Sequence, residues 1–243
     1  MVVAVRPLPD VVRVYVWEWP VRFTHWMIVA SIVVLSATGI YMGYPFITVS
    51  GPAGSRFVTG AAKVIHLYAA IAFALCIVIR LVWMFLGNNY ARWDKFLPVP
   101  KRRRAGLLPT FWFYVFRLRK PPGFIGHNPL AGLTYTAVFL LYFVMIATGL
   151  TLFSASAAVT SPLHGLRFLI PLVGGLQTAR WIHHVTMWLL LGFAVHHVYS
   201  AVLMSQVEAN GTIESIFSGY KFVPSEDLAY SGYRFIDRRD VNG

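Results

Sequence analysis

Four long apolar runs, separated by stretches that hold almost all of the charge, set the pattern of this 243-residue chain. They cover residues 23–43, 64–86, 130–154 and 182–206. Each supplies the ~20 apolar residues that a helix needs to cross ~30 Å of hydrocarbon. The segment YVWEWPVRFTHW ahead of and within the start of the first run interleaves aromatic and charged residues, as at a membrane interface, and Pro20 suits a first helical turn. Residues 44–62 are rich in Gly, Pro and Ser and read as a loop. Residues 87–129 form the longest polar stretch, interrupted by Pro98, Pro100, Pro109, Pro121 and Pro122. Within it, 111–118 mixes aromatics with arginine and predicts a short interfacial helix. Asn128 and Pro129 read as an N-cap and first-turn pair for the third span. The loop 155–180 carries Pro162, Pro171, Gly174 and Gly175. Residues 207–243 are polar and mixed, with no long apolar run, and 237–243 is expected to be disordered. The pattern predicts an all-α integral membrane protein, a single domain over 1–243 in which four transmembrane helices pack as a bundle.

Composition narrows the class. The chain is 57% hydrophobic and 12% charged, with mean hydropathy +0.62. A soluble domain has about 25% charged residues. The net charge of +12 with 16% aromatics would suit nucleic-acid binding, but the charge is not spread as that requires. Nine cations (Arg92, Lys95, Lys101, Arg102, Arg103, Arg104, Arg117, Arg119, Lys120) crowd 87–129 against one acid, Asp94. The first loop has Arg56, with Lys63 just beyond, and the third has Arg167 and Arg180. This bias makes 87–129 cytoplasmic together with both termini, and the first and third loops external. A multi-pass membrane protein with no nucleic-acid partner is expected. No removable signal peptide is expected, since Arg6, Asp10, Arg13 and Glu18 precede the first run without a small-residue cleavage site. The one cysteine, Cys76, excludes an internal disulfide, a Cys-built iron–sulfur or zinc site and covalent haem attachment.

The fourth run carries the candidate chemistry: His183 and His184 at its start, His196 and His197 near its end. Polar imidazoles at hydrocarbon depth need a reason. His183 and His197 are fourteen residues apart, so they differ by only ~40° in helical phase and lie about 21 Å apart along the axis. The orientation then sorts the histidines by depth. His25 and His197 lie at the cytoplasmic side, His66 and His183 at the outer side. Two stacked bis-histidine pairs are what two haems b, one near each surface, require, and such ligation leaves no open position for substrate. Helix–helix hydrogen bonding is the plain alternative for any one of these histidines. His184 and His196 then serve helix contacts, propionates or the interface, and His127 and His164 sit in loops. Arg22, Arg80 and Arg180 lie near the ligand depths and can pair with haem propionates, or snorkel to the interface. Gly39, Gly149 and Gly192 give close approach to a porphyrin or to a neighbouring helix. The aromatic residues are expected mostly at lipid or interface.

The segments PVRFTHW, KVIHLYAA, GNNYAR, IGHNPLAG, HHVTMWLLLGFAVHHVY and FSGYK closely resemble the b-type cytochrome subunit of membrane-bound nickel–iron hydrogenases, from about Val14 to Phe222. The resemblance implies four helices with two haems b, held by His25, His66, His183 and His197. It also implies an anchor for a periplasmic hydrogenase of small and large subunits, part of a higher oligomer. Electrons would pass from the outer haem to the inner one and on to quinone, menaquinone or ubiquinone, in a site near the inner haem for which His127 and its loop are candidates. The chain has no Cys cluster or nucleotide motif of its own and is not expected to split hydrogen alone, so the resemblance implies a non-catalytic electron-transfer subunit of a quinone-reactive hydrogenase complex. The cytochrome of another periplasmic dehydrogenase, such as formate dehydrogenase, is the alternative within the fold. A histidine-based proton or metal transporter is the alternative outside it, though no convincing internal repeat is present, and a passive anchor is a third reading.

Overall fold

The computed structural model describes residues 11–47, 57–118 and 123–225. The expected disorder of 237–243, residues 48–56 of the glycine-rich first loop, the charges Arg6 and Asp10, and Arg119, Lys120, Pro121 and Pro122 lie outside the described residues. In order, the elements are β1 (Val11–Tyr15), α1 (Trp19–Gly43), α2 (Val58–Leu86), α3 (Lys101–Tyr114), α4 (Pro129–Ser156), a short α5 (Leu169–Leu172), α6 (Leu176–Glu208), α7 (Thr212–Ser218) and β2 (Tyr220–Pro224). Helices α1, α2, α4 and α6 are long and apolar enough to cross a membrane.

These four helices begin before the apolar runs do, because polar and interfacial residues extend a helix once its caps allow. Pro20 sits in the first turn of α1. The Asn128 side-chain oxygen accepts from the Ala131 amide at 2.7 Å, with Pro129 as the first helical residue, so the expected cap pair starts α4. Gly174 and Gly175 adopt φ of +87° and +96°, which ends α5 and turns the chain into α6. At 33 residues α6 is about 50 Å long and outreaches the hydrocarbon.

The chain divides into two compact units. One consists of Phe23–Leu81 and Ala137–Val195. Here parts of all four long helices close on Ile28, Phe73, Cys76, Ile77, Val138, Tyr142 and Leu190. Phe73 and Tyr142 meet edge to face at 5.0 Å. Only 11–28% of each helix's most apolar window is buried in the protein, so the remaining Val, Leu, Ile and Phe surface suits lipid rather than water.

The other unit consists of Met1–Arg22, Val82–Thr136 and His196–Gly243. Its described part holds a strand pair that the hydropathy pattern does not reveal. β1 runs antiparallel to β2, with Val12 opposite Val223 and Val14 opposite Lys221. The core here is Val14, Val16, Trp17, Val21, Tyr90, Ala91, Ile125 and Val223. Several aromatics expected at lipid or interface are thus buried instead, Trp17, Tyr90, Phe96 and Phe113 among them.

Polar groups fix this unit. The Glu18 carboxylate accepts from the Trp83 indole at 2.7 Å and the Asn88 amide at 2.8 Å. The Asn88 side chain donates to the Val16 carbonyl at 3.2 Å and accepts from the Tyr90 and Ala91 amides, both at 3.1 Å. The Gly219 carbonyl accepts from the Val16 and Trp17 amides at 2.8 and 3.0 Å. Gly219 stands at φ +92°, a left-handed conformation that caps α7 and favours glycine. The interfacial helix expected at 111–118 is corrected: α3 starts ten residues earlier at Lys101, capped by Pro100, and accommodates Pro109 internally. Arg103, one of the nine cations, is buried and donates to the Lys95 and His127 carbonyls at 2.6 and 3.1 Å.

Two predictions follow from this packing. A Cβ on Gly132 would stand 2.3 Å from the Lys95 carbonyl oxygen, whereas one on Gly192 meets nothing within 4 Å among the described residues. Gly132→Ala should destabilise by about 1–3 kcal/mol. Gly192→Ala should be neutral or stabilise by up to about 1 kcal/mol through helix propensity. Thermal unfolding of both variants in detergent checks this. Burial pushes the ammonium pKa of Lys221 below the ordinary lysine value, although Glu208 acts in the opposite sense. The folded state then binds fewer protons than the unfolded one between the lowered value and about 10.4, so stability rises with pH across that window. Lys221→Met removes this slope. Its stability relative to the parent should therefore be most favourable below the lowered value and become less so as pH climbs toward 10, read from unfolding midpoints at stepped pH.

Candidate functional site

Within the unit formed by Phe23–Leu81 and Ala137–Val195, α2 and α6 bring His66 and His183 together, with ring centroids 6.5 Å apart and planes inclined at 51°. Both rings are half-buried. Each has its Nδ1 held by a threonine of a third or fourth helix. Thr38 Oγ1 on α1 lies 2.8 Å from His66 Nδ1, and Thr148 Oγ1 on α4 lies 2.9 Å from His183 Nδ1. That leaves Nε2 of each ring as the nitrogen available to a metal. An iron holding two imidazole nitrogens at about 2 Å stands about 3 Å from each ring centroid, so two axial rings of one iron lie roughly 6 Å apart. The observed separation fits that requirement.

The helices also leave room beside the rings. A Cβ placed on Gly39 would meet only His66 Cε1, at 3.5 Å, and one on Gly149 only His183 Cε1, at 3.4 Å, among the described residues. These are ordinary van der Waals distances, so the imidazoles themselves do not demand glycine there. Gly192, grouped with these two from the sequence, faces open space instead.

His25 and His197 fall in different units. His25 is half-buried on α1, edge-on to Trp26 at 5.1 Å. His197 is half-buried on α6, its Nδ1 3.4 Å from the Tyr135 hydroxyl. Tyr135 in turn meets the His127 ring at 4.7 Å, and His127 packs against Trp17 at 4.7 Å and Phe96 at 5.6 Å. His127 also lines a cavity with Tyr90, Lys95, Arg102, Arg103 and Phe124. The other members of the histidine pairs are exposed: His184, whose Nδ1 donates to the Arg180 carbonyl at 2.8 Å, and His196. His164, in the 3-10 turn Pro162–Phe168, has its Nδ1 3.2 Å from the Ala157 carbonyl.

The arginines differ in setting. The Arg22 guanidinium donates to the Phe217 carbonyl. Arg80 is buried within α2, and Arg180 is exposed with the Gln177 amide oxygen 3.4 Å away.

Residues 16–219 match the family described as prokaryotic cytochrome b561. The chain belongs to that family. It is a mostly helical, multi-pass membrane protein of a family of b-type cytochromes. It is 34% identical over 209 residues to a probable Ni/Fe-hydrogenase B-type cytochrome subunit of Bradyrhizobium diazoefficiens, covering 85% of each chain. It is 33% identical over 219 residues to the probable Ni/Fe-hydrogenase 1 B-type cytochrome subunit of Escherichia coli, covering 87% of this chain and 92% of that one. A third such subunit, from Azotobacter vinelandii, is 35% identical over 213 residues, at 86% and 88% coverage.

Sequence reasoning missed Thr38, Thr148 and Tyr135, whose positions beside the histidines are tertiary facts. A signal for the two threonines was present nonetheless. The tripeptide Ala-Thr-Gly occurs at 37–39 in the first apolar run and again at 147–149 in the third.

Proposed function

We propose that this cytochrome is the membrane-anchoring di-haem subunit of a nickel–iron hydrogenase complex, relaying electrons from a periplasmic small and large subunit to the quinone pool. The observation that carries the reading is the facing of His66 and His183 at 6.5 Å with both Nδ1 atoms already engaged. Haem b, held by two imidazoles, supplies a one-electron ferric/ferrous couple with no open coordination position. His66 and His183 would hold the outer haem, and His25 and His197 the inner one, with His183 and His197 fourteen positions apart on α6. The half-burial of His183 and His197 beside exposed His184 and His196 supports that choice within each pair.

The whole chain acts as one membrane cytochrome domain in a bacterial inner membrane, with both termini and the cation-rich 87–129 stretch on the cytoplasmic side. Lipid covers its outward apolar faces. The relatives' names support a hydrogenase partner. Arg22, Arg80 and Arg180 are the partners proposed for the propionates. Menaquinone or ubiquinone is the acceptor, near the inner haem. There, His127 lines a cavity with three cations and reaches His197 through Tyr135, so it can hand over the proton that accompanies quinone reduction.

A reduced-minus-oxidised spectrum with haem quantified per chain tests the reading. Two low-spin b haems are expected in the parent and one in His66→Ala, His183→Ala, His25→Ala or His197→Ala. His184→Ala and His196→Ala should retain both. Folded protein without haem would reject the cytochrome reading in favour of a histidine relay for protons or metal ions. His127→Gln should slow quinone reduction about 100-fold while hydrogen still reduces both haems in the intact complex. An unchanged rate would remove His127 from the quinone site.

A further inference from the structure

We infer that Thr38 and Thr148 are the positioning residues of the outer haem, each fixing the tautomer and ring orientation of one axial histidine. The inference rests on the ligation by His66 and His183 proposed above. A threonine hydroxyl has one proton to donate and lone pairs to accept with. Here the donor is already used. Thr38 donates to the Val34 carbonyl at 2.7 Å, with Leu35 at 3.3 Å, and Thr148 donates to the Val144 carbonyl at 2.7 Å, with Met145 at 3.2 Å. Toward the histidine each hydroxyl oxygen is therefore an acceptor, and Nδ1 must carry the hydrogen. Both Nε2 atoms then present lone pairs to the same iron. Were the hydroxyls to donate to Nδ1 instead, each ring would carry its hydrogen on Nε2, and neither could bind metal.

Back-bonding to a carbonyl four residues earlier is common for threonine in helices and proves nothing alone. Thr134, Thr136 and Thr151 all do it in α4. What separates Thr38 and Thr148 is the imidazole on their other side. Thr148 is 3% exposed, so water has little access to take over its role. Both threonines are followed by a glycine whose missing side chain faces the same ring, at Gly39 and Gly149. One Ala-Thr-Gly unit on α1 thus serves the ligand on α2, and its counterpart on α4 serves the ligand on α6. Groups of this kind behind metal-bound histidines set ring orientation and ligand basicity, and their loss typically lowers metal affinity 10–100-fold. Accepting the Nδ1 hydrogen makes each imidazole a stronger donor, which favours ferric over ferrous iron and holds the outer potential down.

The test is a redox titration of the full complex, followed at the reduced haem band and by the ferric low-spin resonance signal. Thr38→Val and Thr148→Val keep shape and remove the hydroxyl, and Thr38→Ser and Thr148→Ser restore it. Expected is an upward shift of one midpoint potential and altered resonance positions for that haem in the Val variants. The second haem should be unmoved, and both values should be parental in the Ser variants. Loss of one haem in the Val variants with retention in the Ser variants supports the inference equally. Val variants that keep two haems and titrate like the parent would overturn it, as would Ser variants that fail like Val. Two haems retained in His66→Ala or His183→Ala would instead show that the ligation reading itself had failed.

Discussion

An imidazole at hydrocarbon depth is stable only when both of its nitrogens have partners, and the helical unit is arranged to meet that demand. His66 and His183 satisfy one nitrogen each through Thr38 and Thr148, and their rings stand 6.5 Å apart. Four helices are needed to do this, two for the histidines and two for the threonines behind them. The apolar core of Ile28, Phe73, Ile77, Val138, Tyr142 and Leu190 draws on all four helices, and leaves most of their remaining surface to lipid. Packing of the bundle and placement of the two imidazoles are thus one problem with one solution.

The second unit answers a different need. Its segments GNNYAR, IGHNPLAG and FSGYK, which helped mark the family likeness, act structurally here. Asn88 ties the chain after α2 to the residues before α1. Asn128 caps α4, and Gly132 lets the Lys95 carbonyl approach its first turn. Gly219 supplies both a left-handed cap and a carbonyl for Val16 and Trp17. The same folding brings His127, Tyr135 and His197 into successive contact. A short string of polar rings results, from a cation-lined cavity to a histidine of α6.

Hydropathy and phase made much of this legible in advance. Membrane insertion depends on runs of local composition, so the four spans were readable to within about six residues, and the Asn128–Pro129 helix start directly. Helical phase is likewise local, and it singled out His183 and His197 from neighbours that the structure leaves exposed. The start of α3 was misjudged because prolines were read as interruptions, whereas Pro100 caps the helix and Pro109 is accommodated within it.

What the chain could not announce by itself were pairings between distant segments. β1 and β2 are some two hundred residues apart, and each is too short and mixed for its alternation to stand out until the other supplies its hydrogen bonds. Glu18 looked like an interfacial charge, yet it anchors Trp83 and Asn88. The Ala-Thr-Gly units were visible as letters, but a threonine hydroxyl inside a helix satisfies itself on its own backbone. Only packing against α2 and α6 turns its free lone pairs toward a histidine. The sequence by itself therefore determined where the membrane helices lie and which histidines share a face, because both follow from local composition and helical period. The tertiary structure decided what stands behind each imidazole, because a hydrogen bond between helices depends on where those helices pack.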